Sequence, residues 1–250
     1  MIKYKINEKY KDSFTDFILN IKDYFKENEQ TIHKARNELK IINHNGIDTV
    51  VKAFRIPNII NQFAYAYIRD GKAKKSFENS MKLIELGVNT PEPIGYIEFY
   101  SNGLLKESFF ISEEFKYDFT LAHIRDDQPS YKSEVLEEFA KFTYDIHQKS
   151  VWHSDYSGGN VLVKEQDNKY EFSLVDINRM KFMDIQNYDG LENFNKFWFN
   201  EKDLTIIAKS YSKVAKLDED KAIKEIIFHD NKLKEFVENR RKWKKKILGK

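Results

Sequence analysis

Tyr10, Phe14, Phe17, Ile18, Ile21, Tyr24 and Phe25 recur every three or four positions, which places them on one stripe and predicts a helix over roughly residues 7 to 26. The period then changes. KIIN and IDTVVKAF flank Asn45-Gly46 and predict an antiparallel pair across residues 37 to 55, because Asn-Gly accepts the positive φ of a two-residue turn. Helical spacing returns through Phe77, Met81 and Ile84 over residues 72 to 87, with Gly87 as a left-handed stop. Pro91 and Pro93 keep the next connector extended, and IGYIEFY, a turn at Ser101-Asn102-Gly103 and ESFFISEEF predict a second hairpin.

Beyond Phe115 the pattern becomes helical, over residues 131 to 149, 201 to 216, 218 to 229 and 230 to 248. One hairpin interrupts it, VLVK and FSLVD around QDNK, and no internal repeat is present. The predicted fold is α+β. Residues 1–115 form a β-rich domain with an N-terminal helix and one main helix, residues 116–250 a mostly helical one, and they meet near Glu113 to Lys116.

Composition narrows the function classes. The 250 residues include no cysteine, which excludes a disulfide scaffold and any thiolate nucleophile or metal ligand. A hydrophobic share of 41% excludes a disordered chain. The longest uncharged apolar run, Ile56 to Ile68, contains two asparagines and a glutamine and falls short of the roughly 20 apolar residues a spanning helix needs. Lys3, Lys5 and Glu8 precede any apolar run, so no secretory leader is expected and the cytoplasm is the expected location. The net charge of +2 conceals an asymmetry: residues 231–250 hold nine Lys and Arg against two Glu, net +7, and the rest of the chain carries −5. Such an end suits an anionic surface, or is a solvated helix face.

The chemistry concentrates in VWHSDYSGGNVLV, residues 151 to 163, and in DINR, residues 176 to 179. Asp155 and Asn160 stand five apart on a loop with Gly158 and Gly159, two glycines that are expected to let it bend, and Asp176 closes the returning strand. Converging carboxylate, amide and carboxylate oxygens are what phosphoryl transfer requires. One carboxylate orients and deprotonates the attacking hydroxyl, and the other two groups hold Mg²⁺.

HSDYSGGN resembles the catalytic loop of the kinase superfamily, H-x-D followed after four residues by Asn, and it lies between a helix and a hairpin ending in Asp, as in that family. The resemblance implies Asp155 as catalytic base and Asn160 and Asp176 as Mg²⁺ ligands. It implies that Lys52 in TVVKAF, sharing a strand face with Val50 and Phe54, contacts the α- and β-phosphates of ATP. Glu78, preferred to Glu85 because it stands further from the Gly87 stop, is the expected partner of Lys52. Glu113 and Glu114 fall at the expected hinge, where backbone groups meet adenine, and His153 is expected to brace the loop.

Three departures argue against an ordinary protein kinase: no glycine-rich loop in TIHKARNELK, residues 31–40, Ile-Asn-Arg in place of Phe-Gly after Asp176, and no A-P-E segment. Kinases of the aminoglycoside phosphotransferase type share these simplifications and a connector like TPEP. Most closely the chain resembles the bacterial lipopolysaccharide kinase family, through ARNELK, VVKAFRIPNIIN, RDGKAKKSFENSMKLIELGVNTPEPIGYIE, HSDYSGGNVLV and VDINRMKF. That resemblance implies a bilobal protein-kinase-like fold, ATP and Mg²⁺ as cofactors, and a Kdo or heptose of a lipid-linked inner core as acceptor. The basic C-terminal end and the basic, aromatic stretch after Lys52 suit peripheral contact with the anionic inner face of the cytoplasmic membrane. Arg55, Arg69, Lys72, Lys74 and Lys75, interleaved with Phe63, Tyr65 and Tyr67, suit a glycolipid headgroup or pack under the main helix. The rivals are a small-molecule kinase, a compact protein kinase without an activation loop, and a pseudokinase. RRKWKKK alone does not make a nucleic-acid site, and none is expected.

Overall fold

The structure, a computed structural model, describes residues 1–34, 37–55, 70–127, 129–167 and 169–248. Phe63, Tyr65, Tyr67 and Arg69 of the basic and aromatic stretch, and Ala35 and Arg36, lie outside the described residues. The chain divides into two compact units: Met1–Lys116 with Val175–Arg179, and Tyr117–Leu174 with Met180–Lys250.

The first unit opens on strand β1 (Ile2–Ile6), followed by α1 (Lys11–Leu19) and α2 (Ile21–Glu27). The expected single helix is broken at Asn20, whose side-chain amide donates to the Asp16 carbonyl and carboxylate. The apolar stripe runs on through the break. Strands β2 (Thr31–Lys34), β3 (Glu38–His44) and β4 (Ile47–Phe54), helix α3 (Lys72–Glu85), and strands β5 (Pro93–Ser101) and β6 (Leu104–Glu113) complete the unit. The sheet order is β1-β5-β6-β4-β3-β2, antiparallel at every pairing. Asn45 and Gly46 (φ 52° and 79°) close one hairpin, Asn102 and Gly103 (51° and 72°) the other, as the two-residue turn requires. Gly87 ends α3 in the left-handed conformation, and the Val88 amide donates to the Leu83 carbonyl at 2.8 Å.

Strand alternation gives the sheet two faces. Val51, Ile97, Phe109 and Ile111 pack with Phe14, Phe17, Ile18 and Ile21 of the N-terminal helices, whereas Phe54, Tyr96 and Phe110 pack with Ala73 and Phe77 of α3. Lys52 shares the second face with Phe54, its ammonium 5.3 Å from that ring. The lysine therefore emerges on the α3 side.

The second unit contains β7 (Phe119–Thr120), α4 (Leu121–Asp127), α5 (Lys132–Gln148), β8 (Val151–His153), β9 (Val161–Gln166), β10 (Lys169–Leu174), β11 (Met180–Phe182), α6 (Glu201–Ala215) and α7 (Glu219–Leu248). Its core centres on Phe139, whose ring meets those of Tyr156, Phe172, Phe194 and Phe197. A buried Lys132–Asp203 ion pair at 2.5 Å ties α5 to α6. The two helices expected over 218–229 and 230–248 are one, since neither Gly nor Pro interrupts them. Residues 187–197, not expected to be regular, form a run of 3₁₀ turns. Among the described residues no helix is long and apolar enough to cross a membrane.

Candidate active site

In the first unit the site is built around the turn at 176–178. Asp176 adopts φ +54°, the left-handed region where Asp and Asn are tolerated. Its Oδ1 accepts from Lys52 Nζ at 2.6 Å and from Asn178 Nδ2 at 2.6 Å. Helix α3 grips the same turn through Asn79, buried at 9% exposure, whose Nδ2 donates to the Ile177 carbonyl at 2.6 Å.

Glu78 does not do what the sequence suggested. The buried face of α3 carries Ala73, Ser76, Phe77, Asn79, Ser80 and Leu83, and Glu78 projects off it, 3.7 Å from Lys74. Glu85 is also exposed and pairs with Lys82 at 3.1 Å. The structure pairs Lys52 with Asp176 and brings neither glutamate to it. Asn79, adjacent to Glu78, gives no signal in the sequence, because an uncharged amide carries no charge that would mark it beside a lysine.

Glu113 and Glu114 serve the sheet. The Glu113 amide donates to the Glu92 carbonyl at 2.8 Å and its carboxylate accepts from the Tyr10 hydroxyl. Burial first, and that carboxylate second, push the Tyr10 hydroxyl well above its usual range and keep it a donor. The Glu114 amide donates to the Asp48 carbonyl at 2.8 Å, and its carboxylate pairs with Lys116. Both amides are committed, so neither can donate to an adenine edge without breaking the sheet edge.

In the second unit the loop from His153 to Asn160 is held along its length. His153 is fully buried, and its Nδ1 accepts from the Asp155 amide at 3.1 Å, which makes it a brace. Tyr156 is also buried, stacked on His153 and hydrogen-bonded to Thr143 at 2.9 Å. Asn160 Nδ2 donates to the Asp155 carbonyl at 2.9 Å, which leaves its Oδ1 as the acceptor. Asp155 is thus fixed by its backbone on both sides, while its side chain stays 40% exposed.

The two glycines serve the loop unequally, and neither has positive φ. A Cβ at Gly158 would lie 2.8 Å from the Ala122 amide nitrogen, so close packing against α4 demands glycine there. At Gly159 a Cβ meets nothing within 4 Å.

Two further residues were not legible in the sequence. Lys196 Nζ donates to the Ser154 carbonyl at 2.5 Å and stands 3.7 Å from Asp155 Oδ1. Asn193 Nδ2 donates to the His153 carbonyl at 3.0 Å, and its Oδ1 meets His147 Nε2 at 3.2 Å. Both come from the 3₁₀ run some 40 positions downstream, a distance over which local pattern says nothing.

Asp176 in the first unit and Asn160 in the second each offer side-chain oxygens of the kind a hard divalent cation takes. Among the described residues no group of three or more His, Cys, Asp or Glu is arranged to hold a metal. Mg²⁺ does not need one, because it takes one or two carboxylates and completes its shell with phosphate oxygens and water.

The profile of the lipopolysaccharide kinase (Kdo/WaaP) family matches residues 59–217. No match is found among curated proteins. Among solved structures, one described as WaaP in complex with acyl carrier protein is 15% identical, with a TM-score of 0.63 over 93% of this chain and 98% of that one. The Rio2 kinase–ADP/Mg²⁺–phosphoaspartate complex from Chaetomium thermophilum is 15% identical over 84% of this chain and 65% of that one, with a TM-score of 0.48. The first shares with this chain an α+β, protein-kinase-like fold.

Proposed function

The chain belongs to the lipopolysaccharide kinase (Kdo/WaaP) family, and on that premise we propose that it transfers the γ-phosphoryl group of ATP to a hydroxyl of an inner-core Kdo or heptose. Membership makes the chain a kinase with an alcohol acceptor. The finer reading is carried by one observation: an exposed Asp155 carboxylate on a loop whose backbone is fixed by His153 and Asn160.

In this reading Asp155 aligns the acceptor hydroxyl and takes its proton as the new O–P bond forms. Lys52 binds nucleotide phosphates. Asp176 and Asn160 supply the oxygen ligands of Mg²⁺, which neutralises phosphate charge when bound. Glu78, half-exposed and beside Lys74, stays outside the nucleotide site, and Glu113 and Glu114 hold the end of β6 where the adenine is bound. Lys52 and Asp176, paired with each other at 2.6 Å, would hold nucleotide phosphate and metal respectively. The acceptor is lipid-linked, so the enzyme works at the inner face of the cytoplasmic membrane.

Lys196 completes the loop electrostatically. An ammonium 3.7 Å from the Asp155 carboxylate is placed to meet the charge that develops on the transferring group. Lys196→Met should lower kcat about tenfold, the worth of roughly 1.4 kcal/mol of lost charge-assisted contact, with little change in KM for ATP. Steady-state kinetics of the variant checks this.

Asn79 acts through Asp176. Asn79→Ala removes the donor to Ile177 and lets the turn move, and we expect the Mg²⁺ concentration for half-maximal activity to rise about tenfold, as one lost hydrogen bond allows. A metal titration at saturating ATP measures it, and an unchanged requirement would restrict Asn79 to packing.

A second reading, a kinase of small cationic molecules of the aminoglycoside phosphotransferase type, is favoured by one feature. Asp118, Glu165 and Asp167 line a cavity of about 780 Å³ in the second unit together with Phe119, His123 and Tyr131, an acidic and aromatic wall suited to a cation. Incubation with radiolabelled ATP and a panel of core-sugar glycolipids, free sugars, aminoglycosides and protein extract separates the readings. Label on the glycolipid alone supports the first, label on an aminoglycoside supports the second, and nucleotide binding without transfer to any acceptor indicates a pseudokinase.

A further inference from the structure

Helix α7 changes character along its length. Its first turns bury Ala222, Ile226 and Asp230 in the second unit, whereas every residue from Glu238 to Ile247 is exposed. In this part Leu233, Phe236, Arg240, Trp243 and Ile247 stand three and four apart in alternation, which sets them on one face. Phe236, Trp243 and Ile247 are 62%, 63% and 60% exposed. Three large apolar side chains on one exposed face are a surface awaiting a partner.

The charges around the stripe identify that partner. At about 100° per residue, Lys244 and Lys246 fall on its two sides, and Glu235 and Glu238 turn away from it. Glu238 is occupied by Lys242 at 2.7 Å. The positive excess of the chain is thus confined to the segment that carries the exposed apolar residues, with the remainder net negative.

Arg240 decides between a lipid surface and a protein groove. It stands within the apolar stripe, so a dry groove would bury its guanidinium and require an acid in register. At a bilayer surface its methylenes lie along the apolar face while its head reaches lipid phosphate. An aromatic and aliphatic stripe with an interior arginine and flanking lysines fits an anionic lipid interface.

We propose that residues 233–247 of α7 form an interfacial helix that lies on an anionic bilayer. This names the partner of the lipid-linked acceptor reading and rests on it for its purpose, although vesicle binding itself does not depend on catalysis. The full chain should sediment with phosphatidylcholine vesicles containing phosphatidylglycerol and only weakly with pure phosphatidylcholine. Trp243 emission should shift to shorter wavelength on binding the anionic vesicles.

Lys244→Gln with Lys246→Gln should lower the partition coefficient roughly 25-fold, at about fivefold per basic side chain near an anionic surface. Trp243→Ala should weaken binding and abolish the emission shift, with phosphorylation of a soluble, delipidated acceptor unchanged. Equal binding to both vesicle types, or binding unaffected by these variants, would overturn the proposal. Concentration-dependent dimerisation lost in Trp243→Ala, with no vesicle binding, would assign the stripe to a second copy of the chain. Vesicle binding by a protein that phosphorylates no core sugar would preserve this inference and reject the acceptor assignment.

Discussion

Asp155→Asn lowers kcat by about 10³-fold, within the range attributed to a positioned general base, and leaves ATP binding unchanged. The size follows from what the substitution spares. Asp155 is located by its backbone, its amide donating to His153 Nδ1 and its carbonyl accepting from Asn160 Nδ2, so an isosteric amide keeps these backbone anchors and removes the proton acceptor together with the charge that faces Lys196. Thermal unfolding of the variant should match the parent. Loss of activity together with a lowered melting temperature would mean that the carboxylate holds the loop and is not its reactive group, and retained turnover would reject Asp155 as base.

The second large effect is acid lability originating at His147. This imidazole is buried, and burial pushes its pKa from 6.5 down to about 4, only partly offset by the hydrogen bond to Asn193. Its Nδ1 meets the Tyr211 hydroxyl at 2.9 Å and its Nε2 the Asn193 Oδ1 at 3.2 Å, an arrangement that a neutral ring satisfies at both nitrogens. The unfolded chain therefore binds the proton more readily than the folded one. Stability is full above pH 6.5 and declines as the pH falls toward 4. Between pH 7 and pH 5 the loss amounts to about 2 kcal/mol, a factor of roughly 30 in the folding equilibrium.

Glu98 and Asp230, whose carboxyls burial pushes upward, act in the opposite sense over the carboxylate range. The contribution of His147 is accordingly the difference in pH slope between the parent and His147→Gln, read from urea unfolding midpoints. Equal slopes would place the proton elsewhere.

What the sequence revealed was what local chemistry dictates. The two Asn-Gly hairpins, the Gly87 stop of α3 and the loop from His153 to Asn160 all follow from residues within a few positions of one another. The strand face of Lys52 followed from the period of two. Contacts between distant segments carry no such period. Strand β1 is five mostly exposed residues that pair with β5, as in Ile2 with Phe99 and Ile6 with Gly95, and nothing in IKYKI alone requires a partner.

The same limit governs the candidate site. Asp176 was identified from its hairpin, but its pairing with Lys52 depends on 124 positions of intervening chain. Glu78 was chosen by its distance from the end of the helix, whereas the side of the helix decided the matter: one step around α3 puts Asn79 inward and Glu78 outward. Lys196 and Asn193 belong to 3₁₀ turns, whose irregular period hides them. The division of α7 into two helices erred for a related reason, since a helix that leaves the protein body loses its buried stripe without losing its hydrogen bonds.

The most direct test of phosphoryl transfer to an inner-core sugar is mass spectrometry of lipid A and core sugars from cells with and without the gene. Without the gene the core should lack one phosphoryl group, and it should regain it with the wild-type chain but not with Asp155→Asn. An unchanged phosphate content of the core would contradict this.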